Sequence, residues 1–194
     1  MPGLREQWRR EAMRTIQARA LDLFDDRGFA AVTIEEVASA AEVSPSSVYR
    51  FFGTKEGLLV ADEFDFMSAD AVAEMLDPAD PVSSLQRAVV AYEAPNDGTD
   101  PDARRRVRYF FAEPSVRLAA YGALDKAARR LAPLLAQGGV LSESQARVVA
   151  NAVTFGYFAA LELWYDGGGT RPIADYVAEG MAPLRRIWTT TPST

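Results

Sequence analysis

The side chains in this sequence best placed to do chemistry lie between positions 33 and 55: Thr33, Ser44, Pro45, Ser46, Ser47, Tyr49, Arg50 and Lys55. Small hydroxyl residues allow a partner to approach closely and can bond to phosphates or base edges, and Arg50 can reach guanine or phosphate. Tyr49, beside Arg50, is either a contact residue or core. Lys55, at a helix start, can clamp a phosphate alongside backbone N–H groups. The sequence has no cysteine and no histidine, which removes disulfides, thiolate chemistry and the commonest general base and metal ligand. Most familiar catalytic constellations are thereby excluded, and no catalytic residue, metal site or cofactor is expected.

Charge cuts against a nucleic-acid partner. The 194 residues carry 21 Lys or Arg against 27 Asp or Glu, a formal net charge of −6, the wrong sign for coating a polyanion through bulk electrostatics. Within residues 1–57, eight basic side chains face nine acidic ones, so only local placement can serve. The basic excess sits at the front: Arg5, Arg9, Arg10, Arg14 and Arg19 against Glu6 and Glu11. Arg9, Arg10 and Arg14 fit either an arm along a phosphate or minor groove or a solvated first turn. A second cluster, Arg104, Arg105, Arg106 and Arg108, fits either an anionic ligand group such as the phosphates of an acyl-coenzyme A or a solvated face.

Helices must position these groups. Trp8, Ala12, Ile16, Ala20, Leu23 and Phe24 recur at three- and four-residue steps, giving one apolar helical face that Gly28 ends. Thr33 and Glu36 make a capping box for a second helix, Ile34 to about Ala40. Ser44 and Pro45 supply a cap and a first-turn proline for a short third helix. Thr54 caps a fourth, expected from Lys55 to about Leu76, and the prolines at 78 and 81 follow its end. Further helices are expected near 82–93, 102–112, 114–137, 142–166 and 172–189, with Pro95–Gly98 as the clearest loop. Pro133 and Pro183 fall inside two of them and should kink them or shift their ends. No strand signal competes. With no twenty-residue run free of charge and no apolar leader, the chain reads as soluble and cytoplasmic, without a membrane partner.

Two short capped helices joined by Ala41, Glu42 and Val43 have the length and turn of a helix-turn-helix, whose second helix enters the major groove by its N-terminal end. Ile34, Val37, Ala38, Val43, Val48 and Phe52 can face inward and fix the crossing angle, leaving Pro45, Ser46, Ser47, Tyr49 and Arg50 outward. The blocks Leu23–Phe29, Val32–Ala38 and Val43–Leu59, with Leu23-Phe24-Asp25-Asp26-Arg27-Gly28-Phe29 and Val48-Tyr49-Arg50-Phe51-Phe52-Gly53-Thr54-Lys55 among them, resemble the tetracycline-repressor (TetR) family in order and spacing. The resemblance covers about residues 8–60. Two departures stand out: Glu42 replaces a glycine at a turn position that often needs positive φ, a strain on the order of 1 kcal/mol. Phe51 replaces a tyrosine or histidine that often meets a phosphate.

The resemblance implies an all-α chain. Residues 1–53 would form an N-terminal three-helix, helix-turn-helix DNA-binding domain, and residues 54–194 a C-terminal helical bundle for ligand binding and dimerisation. It further implies a homodimer on a near-palindromic operator, with Thr33, Ser44, Ser46, Ser47, Tyr49 and Lys55 at DNA-contact positions and no enzymatic activity. A small-molecule effector in the C-terminal core would spread the two reading heads and release the DNA, which is the behaviour of a repressor. Candidate ligand contacts are Phe64, Met67, Tyr92, Phe111, Tyr121, Phe155, Phe158 and Glu162, whose aromatic bias suggests a largely apolar effector, with ordinary core packing as the other reading. Two small-residue stripes, Ala152, Gly156, Ala159 and Leu163, then Val177, Gly180, Met181 and Leu184, suit a dimer seam or packing within one subunit. A different class, a small-molecule-binding helical protein or enzyme with a vestigial helix-turn-helix, would also account for the acidic charge, Glu42 and Phe51.

Overall fold

A computed structural model describes residues 4–61, 67–93 and 101–189. Among them every regular element is helical: α1 (Leu4–Arg27), a 3-10 turn (Phe29–Ala31), α2 (Ile34–Ala40), α3 (Pro45–Phe52), α4 (Gly57–Val60), α5 (Ala69–Ala73), α6 (Pro81–Glu93), α7 (Pro101–Ala112), α8 (Pro114–Ala136), α9 (Glu143–Asp166) and α10 (Ile173–Thr189). The expected loop at Pro95–Gly98 and the side chain of Phe64 lie outside the described residues. No described helix is long and apolar enough to cross a membrane.

The chain divides into two compact units. One unit takes residues 1–65 and 105–120; the other takes 66–104 and 121–194. In the first, α1 buries Met13, Ile16, Ala20, Leu21 and Phe24 and packs on α2, the 3-10 turn and α4, while α2 packs on α3; Val37, Ala38, Val48, Phe52, Leu58 and Leu59 are buried with them. Phe24 meets Phe29 edge-on at 5.0 Å and Tyr109 at 5.9 Å, so truncating it to alanine would cost about 3–5 kcal/mol. Trp8, counted by its spacing on the apolar face, is 74% exposed and takes no part in the core.

The helix expected from Lys55 to Leu76 is not continuous. Thr54 does cap its start, accepting the Gly57 N–H at 3.1 Å, but Ala61 turns extended (φ −67°, ψ 131°) and ends α4. Ser68 then caps α5 by accepting the Ala71 N–H. Gly57 has a packing reason: a Cβ there would lie 2.0 Å from the Phe52 carbonyl oxygen, so only glycine lets α4 start against the end of α3. In the second unit α10 packs on α9 and α6 around Trp164, Ile173, Val177 and Met181. Gln86 is buried there, and its amide donates to the Met181 carbonyl at 3.1 Å. Both suspect prolines, Pro133 and Pro183, lie inside helices.

Candidate nucleic-acid interface

The turn between α2 and α3 sets how the second helix is displayed. Val43 N–H donates to the Ala38 carbonyl at 2.9 Å and Glu42 N–H to that of Ser39 at 3.2 Å, the paired bonds of a Schellman ending. Glu42 sits at φ 56°, the one positive-φ residue other than glycine among those described. The left-handed turn that the resemblance implies is therefore present, occupied by a side chain that disfavours it. Beyond it Ser44 caps α3, its Oγ accepting the Ser47 N–H at 3.2 Å, with Pro45 in the first turn. The Ser44 Oγ also lies 2.9 Å from the hydroxyls of both Ser46 and Ser47. Three hydroxyls are thus gathered at one helix N-terminus, where partial positive charge favours an anion.

Along α3, Val48 and Phe52 are buried while Pro45, Ser46, Tyr49 and Arg50 are exposed and Ser47 is half-buried. Tyr49 is 48% exposed, so it is not core. The Arg50 guanidinium rests 5.0 Å from the Phe51 ring centroid. Phe51, unable to donate to a phosphate, thereby still supports the cation beside it. Six of the eight candidates, from Ser44 to Arg50, share one surface. Thr33 stands at the head of α2, its hydroxyl accepting the Glu36 N–H at 3.2 Å. The Glu36 carboxylate accepts the Thr33 N–H at 2.8 Å and pairs with Arg27 at 2.8 Å. The Thr33 backbone bond first, then Arg27, hold Glu36 below the usual carboxylate range.

The Lys55 ammonium is turned onto the backbone: it donates to the carbonyls of Phe29 at 2.9 Å and Val32 at 3.1 Å, with Ala30 at 3.4 Å. Sequence reasoning also missed a cluster at the end of α1. Asp25 accepts from Arg105 Nε at 2.6 Å, from the Tyr109 hydroxyl at 2.7 Å and from Arg108, while Asp22 accepts from Arg105 at 2.9 Å. Burial alone would raise the Asp25 pKa, but the Tyr109 hydrogen bond and the two arginines outweigh it and hold the group below its ordinary value. Burial, then the bond to Asp25, push the Tyr109 phenol up. Acids that made this end of the chain look anionic are neutralised by residues eighty positions away. Arg104 donates to the Gly169 carbonyl and lies 5.6 Å from the Trp164 ring, so three members of the arginine cluster already have protein partners. Spacing did display the matching faces, Asp22 with Asp25 and Arg105 with Arg108 and Tyr109, but not their pairing.

Of the ligand candidates, Tyr121 meets Phe158 edge-on at 5.4 Å and Phe155 at 6.1 Å. Glu162 is half-buried one turn beyond Phe158. Met67 is half-buried and lends its carbonyl to Arg130; Phe111 belongs to the other unit, 5.6 Å from the Arg117 guanidinium. Tyr92 lies in α6, its side chain outside the described residues. Of the dimer candidates, Ala159, Leu163 and Gly180 are exposed and Ala152, Gly156 and Leu184 half-buried. Val177 and Met181 are 0% and 2% exposed, so they belong to the subunit's own core, where α10 packs on α9 and α6.

Residues 16–61 match the model of bacterial regulatory proteins of the tetR family, and residues 79–189 match the MftR C-terminal domain. Over 74 residues the chain is 42% identical to the HTH-type transcriptional regulator BetI of Rhizobium meliloti (strain 1021), a stretch covering 35% of this chain and 36% of that protein. The match therefore spans about a third of that relative's length. Among solved structures, NalD, the secondary repressor of the MexAB-OprM multidrug efflux pump in Pseudomonas aeruginosa, aligns with a TM-score of 0.57 at 18% identity, covering 91% of this chain and 94% of its own. The TetR-family repressor FadR of Thermus thermophilus, solved with lauroyl-CoA, aligns at 0.55 and 20% identity, covering 94% and 97%. These last two likenesses concern the fold. Helices and site together define a helix-turn-helix transcriptional regulator. The chain belongs to the TetR family.

Proposed function

We propose that this regulator is a repressor that grips a near-palindromic operator as a homodimer through α3 and releases it when a small, largely apolar effector binds its C-terminal helices. The observation that carries this reading is the two-sidedness of α3: Ser46, Tyr49 and Arg50 are exposed, while Val48 and Phe52 behind them are buried. Residues 1–53 would serve as the DNA-reading segment and 54–194 for ligand and partner, in the cytoplasm and without catalysis. A second copy is supported by α9, where Val148, Ala152, Phe155, Ala159 and Leu163 recur every three or four residues, with Val148, Phe155 and Leu163 59%, 38% and 60% exposed. Phe155 thus fits the seam better than a ligand pocket. Two-fold symmetry would set the two α3 helices about 34 Å apart, one turn of DNA.

Tyr121 and Phe158, with Glu162 as a polar anchor, are the ligand contacts this reading favours, and acyl-CoA thioesters are the first class to titrate. The test is selection of duplexes from a random pool, followed by mobility shifts with wild type and Tyr49→Ala. A palindromic consensus should emerge, and Tyr49→Ala should bind it at least tenfold more weakly. No shift by the wild type at low salt, on any selected duplex, would remove the proposal.

A further inference from the structure

We infer that Lys55 is a positioning residue of the helix-turn-helix and makes no phosphate contact, an inference that rests on the DNA-binding reading above. An ammonium has three donors and no acceptor. Here it faces three carbonyls, of Phe29, Val32 and Ala30, at 2.9, 3.1 and 3.4 Å, and sits 4.4 Å from the Phe29 ring centroid. Those oxygens belong to the first two residues of the 3-10 turn and to Val32 just after it; so short a turn leaves backbone carbonyls without helical partners, and a cation is favoured there. To neutralise a DNA phosphate the side chain would have to abandon them.

The consequence lies in which peptide is held. The Val32 carbonyl and the Thr33 N–H are the two edges of one peptide plane. Lys55 takes the oxygen edge at 3.1 Å and Glu36 takes the N–H edge at 2.8 Å, so the plane that launches α2 is gripped from both sides. Lys55 itself stands three residues past Phe52, the last residue of α3. The chain therefore closes on itself: the Schellman turn ties the end of α2 to the start of α3, and Lys55 ties the end of α3 back to the start of α2. Together the two ties fix the angle at which α3 presents Ser46, Tyr49 and Arg50.

Lys55→Met and Lys55→Arg in the full-length chain decide the matter, by thermal melting and by affinity for the selected operator and a scrambled duplex across a salt series. Expected for Lys55→Met is a lower melting temperature and about a tenfold loss on the operator. Its affinity for scrambled DNA and its salt dependence should match wild type, because a tilted head loses base contacts while its phosphate contacts persist. A phosphate contact would instead weaken both duplexes alike and flatten the log–log salt slope by about 0.9 per half-site, and that result overturns the inference. A fall in melting temperature with an unchanged operator-to-scrambled ratio overturns it too, since the lysine would then serve stability alone. If Lys55→Met does not fold, Lys55→Arg decides: its planar fork keeps the charge but cannot fan three donors onto three carbonyls, so a reduced ratio supports positioning and a wild-type ratio refutes it. Failure of the wild type to prefer any duplex condemns the DNA-binding reading itself and is distinct from either variant result.

Discussion

Glu42 carries a cost that glycine would not. At φ 56° its Cβ crowds the neighbouring backbone, a strain on the order of 1 kcal/mol, partly offset in a glycine variant by the greater freedom of the unfolded chain. Glu42→Gly should therefore raise stability by up to about 1 kcal/mol, which for a chain of this size is a melting temperature roughly 2–4 °C higher. Calorimetry reads this directly, and a melting temperature at or below that of the wild type would show that the turn is unstrained. This position was legible through the resemblance, which puts a glycine there, and the bounds of its turn are local signals: Ser44 and Pro45 fix where α3 begins and α2 ends four residues earlier. The same locality exposed the Thr33–Glu36 capping box. The carbonyl partners of Lys55 were not legible for the opposite reason, since they lie 23 to 26 residues back along the chain.

At the scale of elements, α1 and α7 meet through a small charged cluster whose pH response follows from Asp25. Because its folded pKa is depressed below 3.8, the cluster's contribution is present in full above that value and is lost as pH falls through the lower folded one. Tyr109, pushed above 10.0, gives up its share only as pH rises past that point. Asp25→Asn should thus destabilise the protein at neutral pH, leaving Arg105 and Arg108 short of an anion. The gap to wild type should begin to narrow as pH falls below 3.8, where the carboxyl of the unfolded chain protonates, and should close as pH falls through the lower folded value. Urea unfolding at a series of pH values tests this, and two curves that stay parallel down to pH 3 would mean Asp25 is uncoupled from folding. Periodicity could show that each helix had such a face. It could not show the match, because the acids and the arginines are more than seventy-five residues apart and only packing brings them together. Nor could it show where the fourth helix breaks, since Ala61 has no intrinsic reason to leave the helix.

For the whole molecule, the two small-residue stripes that looked alike in sequence have different burial, and that difference yields a prediction. Val177, on α10, is fully buried in its own subunit, whereas Leu163, on α9, is 60% exposed. A substitution at Leu163 leaves the subunit's core intact and perturbs only what covers it; one at Val177 opens a cavity. On the proposed dimer, Leu163→Asp should then yield a folded monomer by sedimentation, since a carboxylate within the apolar row on α9 would be desolvated without a partner. Operator affinity should fall at least a hundredfold, because the second half-site would no longer be bound at the high effective concentration that linkage to the first provides. Val177→Ala should do the reverse, lowering the melting temperature by several degrees while leaving the assembly dimeric. If Leu163→Asp sediments as a dimer with undiminished affinity, the exposed row on α9 is not the seam and the spacing of the two reading helices must be set by some other surface.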